Sequence, residues 1–205
     1  MVRLPMFPLG GVHFPYSVIP LRVFEDRYLK LLSDVAAADG RFGVVLIERG
    51  FEVGGGDVRF DVGTLAEIRA VSDLENGAKA VVAVGLSRVR IDRWLADDPY
   101  PLAEVTLLGE SETGPEDEEL RAEATRLLYR LLALASELGA DTANFAPDMS
   151  DDPLVAGFHL AQMIELGPLD AQHLLEEDSA TARLIALNQL LAEEIELIQL
   201  RLAEG

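Results

Sequence analysis

The spacing of apolar and polar positions changes period near the middle of the chain. Up to about residue 110 the apolar residues come in short runs or alternate, as strands require. Residues 4–8 and 18–24 are short apolar runs, and residues 42–48 form a nearly continuous one, the pattern of a buried strand. Over residues 62–71, Glu67 and Arg69 fall on one face and Ala66 and Ile68 on the other. Asn76-Gly77 separates this run from residues 78–93. Asn-Gly favours positive φ at both central positions of a type I′ hairpin, so the two runs are expected to be antiparallel neighbours. Near the end of the second, Val89 and Ile91 are expected inward and Arg88, Arg90 and Asp92 outward. A turn at residues 97–101 leads to a last strand at 102–108. One helix interrupts the series: over residues 25–38, Tyr28, Leu31, Leu32, Val35 and Ala36 recur at helical spacing, and Asp39-Gly40 ends it.

Beyond a polar linker at residues 109–115 the period becomes helical. A helix is expected from Glu116 to Leu138, opening on Glu116-Asp117-Glu118-Glu119, whose charge suits a helix N-terminus. Leu120, Leu127, Leu128, Leu131, Ala135 and Leu138 form its stripe. After a loop at 141–150, Asp152-Pro153 reads as an N-cap with proline at the first helical position, opening a helix to about Leu166. Gly167-Pro168 breaks the chain and starts a short helix to Glu177. Ser179 caps a final one, with Leu184, Leu187, Leu191, Ile195, Ile198 and Leu202 as its stripe. A second apolar line on that helix, including Leu197 and Leu200, makes it a candidate for self-association as a homodimer.

Composition narrows the functional classes. The 205 residues contain no cysteine, which excludes disulfides, thiolate catalysis and cysteine-bearing metal sites. No run of about 18 uncharged apolar residues is present, and the N-terminus shows no targeting signal, so no membrane association and a cytoplasmic location are expected. The net charge of −19 is uneven: residues 1–110 carry 12 basic and 16 acidic side chains, residues 111–205 carry 5 and 20. Nucleic-acid binding requires clustered Lys and Arg, so no nucleic-acid partner is expected.

Candidate chemistry is sparse. Gly54-Gly55-Gly56 precedes Asp57 and a strand-like run, which reads as a hairpin or loop rather than a phosphate cradle. His13, His159 and His173 are scattered, and no metal site is expected. The only lysines, Lys30 and Lys79, look exposed, where the amine stays protonated and is a poor base. Paired carboxylates such as Glu193-Glu194 perform acid–base work only where a cleft separates their pKa values. No catalytic residues and no cofactor are therefore assigned. The most suggestive segment is Gly10-Gly11-Val12-His13-Phe14-Pro15-Tyr16-Ser17-Val18, a loop carrying Val12, Phe14, Pro15, Tyr16 and Val18. Loops lie on the surface, so these side chains are candidates for a partner-binding patch; the alternative is that the loop folds back onto the strands.

Several of these segments carry a family signal. Leu4-Pro5-Met6-Phe7-Pro8-Leu9, then Phe14-Pro15 and Val18-Ile19-Pro20-Leu21, resembles the opening of the Lon protease N-terminal (substrate-binding) domain. Val62-Gly63-Thr64-Leu65-Ala66-Glu67-Ile68, Val84-Gly85-Leu86-Ser87-Arg88-Val89-Arg90-Ile91 and Asp98-Pro99-Tyr100 are similar to later motifs of that family, in the right order. Gln172-His173-Leu174-Leu175-Glu176 and Arg183-Leu184 resemble its helical tail. The resemblance implies an α+β fold: a PUA-like antiparallel β barrel with one inserted helix over residues 1–110, then a C-terminal helical bundle over 116–205. It also implies recognition of proteins or unfolded peptide segments rather than their cleavage. The chain has no Gly-x-x-x-x-Gly-Lys-Ser/Thr loop, so the expectation is a free-standing, non-enzymatic module without ATPase or protease domains. A small-molecule-binding or hydrolytic protein using a pocket in the β domain is the alternative.

Overall fold

A computed structural model describes residues 2–50, 58–140 and 150–204. The glycine cluster at 54–56 and most of the loop at 141–150 lie outside these residues. The described elements are β1 (Val2–Leu9), β2 (Val18–Val23), α1 (Asp26–Ala37), β3 (Arg41–Arg49), β4 (Val58–Asp73), β5 (Lys79–Trp94), β6 (Leu102–Leu107), α2 (Pro115–Glu137), α3 (Pro153–Gln162), α4 (Pro168–Glu176) and α5 (Ala180–Glu204). The fold is α+β. The chain divides into two compact units, Met1–Gly109 with Gly167–Glu176, and Glu110–Leu166 with Glu177–Gly205.

The first unit is built on one six-stranded sheet in the order β2-β5-β4-β3-β1-β6, and β6 also pairs β5. The pairings β5–β4–β3–β1–β6 therefore return to β5, and β2 lies outside that circuit. The sheet is mixed rather than antiparallel. β1 and β3 run parallel, with Met6 opposite Gly43 and Leu9 opposite Leu46. The cause is connectivity: β2 and α1 intervene between them, long enough for the crossover that parallel neighbours need. The β4–β5 hairpin is antiparallel, and its turn has Asn76 at φ 61° and Gly77 at φ 76°, as Asn-Gly dictates.

Two apolar clusters fill this unit. One joins α1 (Tyr28, Leu31, Leu32, Val35) to Phe7, Ile19, Leu21 and Phe42, with the Phe7 and Tyr28 rings stacked 4.1 Å apart. The other holds Leu4, Met6, Leu65, Val89, Ile91 and Val105. Arg88 corrects the expectation that it points to solvent: its residue is 1% exposed. The outward side of β5 is covered there by α4, and Arg88 donates from its guanidinium to the Leu175 carbonyl at 3.1 Å, satisfying a helix C-terminus. Gln172 of α4 donates to the Val62 carbonyl at 3.1 Å. These contacts attach α4 to the strands.

In the second unit α2 and α5 lie side by side in the same direction. Thr181 donates to Asp117 at 2.6 Å, and Asn188 donates to the Leu120 carbonyl at 3.1 Å, so both chains advance together. Ala124, Leu128 and Leu131 of α2 are buried, as are Leu184, Leu187, Leu191 and Ile195 of α5 and Phe158 and Leu160 of α3. The predicted starts are present: Asp117 accepts from Gly114 N–H at 2.7 Å, Asp152 from Leu154 N–H at 3.0 Å and Ser179 Oγ from Ala182 N–H at 3.0 Å. α3 ends at Gln162, four residues before the expected stop. Buried Arg183 lies over the Phe158 ring at 3.8 Å and donates to Glu110 at 3.1 Å and to the Glu177 carbonyl at 3.2 Å, so its charge is paired as well as enclosed.

Candidate functional site

The loop at residues 10–18 is folded back onto β4 and β5 by its own backbone. Thr64 donates its hydroxyl to the His13 carbonyl at 2.6 Å. Ser17 donates to the Phe14 carbonyl from Oγ at 2.6 Å and from N–H at 3.3 Å. Tyr16 N–H donates to the Gly85 carbonyl, and Gly85 N–H to the Ser17 carbonyl, both at 2.9 Å. Gly85 is obligatory in this arrangement, since a Cβ there would sit 2.4 Å from the Phe14 carbonyl oxygen.

This anchoring sorts the predicted residues. Phe14 is 3% exposed and Pro15 is also buried, so neither offers its side chain to a partner. Val12 is half-buried. Tyr16, held at φ 65°, is 43% exposed, and Val18 is 63% exposed. On α5, Leu197 and Leu200 are exposed.

β2 extends the exposed part of this segment. Its burial alternates without interruption: Ile19, Leu21 and Val23 inward, Val18, Pro20 and Arg22 outward. On β5, Val82 lies opposite Pro20 and Val84 opposite Val18, which makes an apolar face of neighbouring side chains. Val82 is itself exposed. Sequence reading missed Val82, although strict alternation through Val81, Val82 and Ala83 was the signal for it.

Beside β2 runs a groove of about 330 Å³. One wall is the consecutive run Pro20, Leu21, Arg22, Val23 and Phe24, so the groove follows the strand's edge rather than either face. The other wall includes Phe7, Leu9 and His13, with Tyr28 contributing from α1. Phe24 is exposed at its rim. Of its charged groups, Glu25 is held by Arg27 at 3.1 Å.

A second cleft of about 370 Å³ is lined by Val2, Leu4, Val35, Leu107 and the pair Asp34–Tyr100. Tyr100 donates its hydroxyl to Asp34 at 2.9 Å. A hydrogen bond from Lys30, and secondly that from Tyr100, holds the Asp34 carboxyl below its ordinary 3.8. Burial, and then Asp34, pushes the Tyr100 phenol above its ordinary 10.0. Both shifts hold the protonation states already present near neutral pH, Asp34 ionised and Tyr100 neutral, the opposite of what a general acid or base needs. Among the described residues no group of three or more His, Asp and Glu converges in a way that would hold a metal.

Residues 3–193 match the family described as the ATP-dependent protease La (LON) substrate-binding domain. The chain belongs to that family. Among its relatives, "Lon protease 2" of Bdellovibrio bacteriovorus is 30% identical over 202 residues, covering 96% of this chain and 25% of that protein. "Lon protease" of Koribacter versatilis is 28% identical over 203 residues, covering 97% and 25%. The chain thus spans about a quarter of the length of these curated relatives. The crystal structure of a Lon N-terminal domain protein from Xanthomonas campestris superposes with a TM-score of 0.67 at 29% identity, covering 94% of this chain and 98% of that one. The N-terminal domain of Mycobacterium avium complex Lon protease gives 0.66 at 22% identity, a likeness of fold, over 93% and 98%. The family match takes in the sheet, the loop at 10–18, β2 and the groove.

Proposed function

We propose that this chain recognises other proteins by their exposed apolar segments and performs no chemistry on them. The observation that carries the reading is the uncovered apolar face of β2 and β5, Val18 and Pro20 beside Val82, adjoining an apolar groove in a chain of a substrate-binding family. Tyr16 and Phe24 extend this surface. Of the other loop residues, Phe14 and Pro15 are buried and Val12 is half-buried. The closed circuit of strands is read as a PUA-like β barrel over residues 1–110; of the expected bundle at 116–205, α2, α3 and α5 form the helical unit and α4 belongs with the strands. The acidic excess of the sequence favours a protein partner over a nucleic acid. The groove's lining is largely apolar and its Glu25 is already engaged by Arg27, which favours apolar recognition over a small-molecule or hydrolytic site.

The test is capture of a permanently unfolded, alkylated protein by the full chain, with Val18→Asp/Val82→Asp as the variant. Both positions are exposed, so the fold is expected to survive. Removing two apolar contacts and adding two carboxylates is expected to weaken capture at least about tenfold. Unchanged capture by the variant moves the site elsewhere, and no capture by the parent chain removes the reading.

A further inference from the structure

Among the described residues, β2 is paired on one side only. Which of its backbone groups are left over follows from the ladder. Gly85 N–H donates to the Ser17 carbonyl in the same register that sets Val18 opposite Val84. Hydrogen-bonded pairs alternate in an antiparallel ladder, so Ile19, Leu21 and Val23 exchange bonds with β5. Val18, Pro20 and Arg22 then turn their backbone groups the other way, along the groove. That edge offers N–H donors at Val18 and Arg22 and carbonyl acceptors at Val18, Pro20 and Arg22. Such an edge is a template for another strand.

We propose that the partner segment binds as an added β-strand along this edge, and that it carries an acidic residue beside Arg22. This deepens the apolar-segment reading and rests on it. The groove gives an added strand somewhere to put both sets of side chains: one set towards Phe7, Leu9 and Tyr28, the other beside Val18, Pro20 and Val82 on the outer face. The charge is complementary to a carboxylate. Arg22 lines the groove and has no ion-pair partner among the described residues, whereas Glu25 is already bound to Arg27. A second copy of β2 fits the edge poorly. Antiparallel pairing of two such strands about Pro20 sets carbonyl against carbonyl with no N–H between them. The partner strand must instead present a donor opposite Pro20.

The experiment uses the full chain and an eight-residue fluorescent peptide of alternating Val and Thr with one central Glu. It is compared with two versions N-methylated on alternate amides, one set in each register. One methylated version is expected to lose binding about tenfold or more, since two or three backbone hydrogen bonds are removed, while the other binds like the parent. Amide exchange followed by NMR is expected to slow at Val18 and Arg22 on binding, with Ile19, Leu21 and Val23 protected throughout. Arg22→Glu is expected to weaken the Glu peptide about two- to fivefold and to favour a Lys counterpart by a similar factor. Equal binding of both methylated peptides with no new protection at Val18 and Arg22, while Val18→Asp/Val82→Asp still weakens capture of unfolded protein, overturns strand addition and leaves apolar recognition standing. Concentration-dependent protection at the same amides without peptide assigns the edge to a second copy and likewise overturns the proposal. Failure of the peptide and of the unfolded protein alike removes both readings.

Discussion

Single atoms decide whether the loop at residues 10–18 keeps its shape. Gly85→Ala would place a methyl group 2.4 Å from the Phe14 carbonyl oxygen, a distance that backbone must move to relieve. We expect a loss of about 2 kcal/mol or more, measured by urea denaturation, and weaker capture of unfolded protein because Tyr16 and Val18 shift with the loop. The Asp34–Tyr100 hydrogen bond makes a different prediction, in pH. The lowered Asp34 pKa means that its contribution is present above 3.8 and fades as pH falls through the lower folded value. The raised Tyr100 pKa means that its contribution is present below 10.0 and fades as pH rises through the higher folded value. The stability difference between the parent and Tyr100→Phe is therefore expected to be flat near neutral pH and to shrink in strong acid and strong alkali. A difference that changes steadily between about pH 5 and 9 contradicts this assignment.

Among the elements, α4 most depends on a few contacts. Its nine residues are too short to be helical alone, and Arg88 and Gln172, beside the buried Leu174 and Leu175, help tie it to the strands. Arg88→Met keeps much of the side chain's volume but leaves the Leu175 carbonyl unsatisfied. It is expected to cost about 1–3 kcal/mol, with amide exchange rising first over Pro168–Glu176. At α2, the buried Asp117 carboxylate accepts from Gly114 N–H and from the Thr181 hydroxyl. Asp117→Ala removes the cap and leaves the partner hydroxyl of α5 without its acceptor. The expected loss is about 1–3 kcal/mol, above that of an exposed cap such as Asp152→Ala, and paired thermal melts check the ranking.

Across the whole chain, periodicity and turn chemistry are local properties, and they made most of the elements legible. Asn76-Gly77 predicts its own positive φ values, Asp152-Pro153 and Ser179 predict their helix starts, and the alternation in β2 predicts which side chains face outward. The motif order also carried the family, because each motif sits where a strand or turn must be. Long-range contact accounts for the rest. Arg88 reads as a solvent-facing strand residue until a helix some 80 positions later lies over it, and the |i−j| of 87 in its bond to Leu175 is a separation no local pattern spans. Phe14 reads as a surface aromatic until Thr64 and Gly85 draw the loop inward. β1 and β3 become parallel because of what the intervening chain does. The edge of β2 is of the same kind: its alternation is written in six residues, but that it has a neighbour on one side only among the described residues depends on where every other strand goes. Local residue chemistry sets the conformation of each segment, whereas burial and strand neighbours are relations between segments and exist only once the chain is folded.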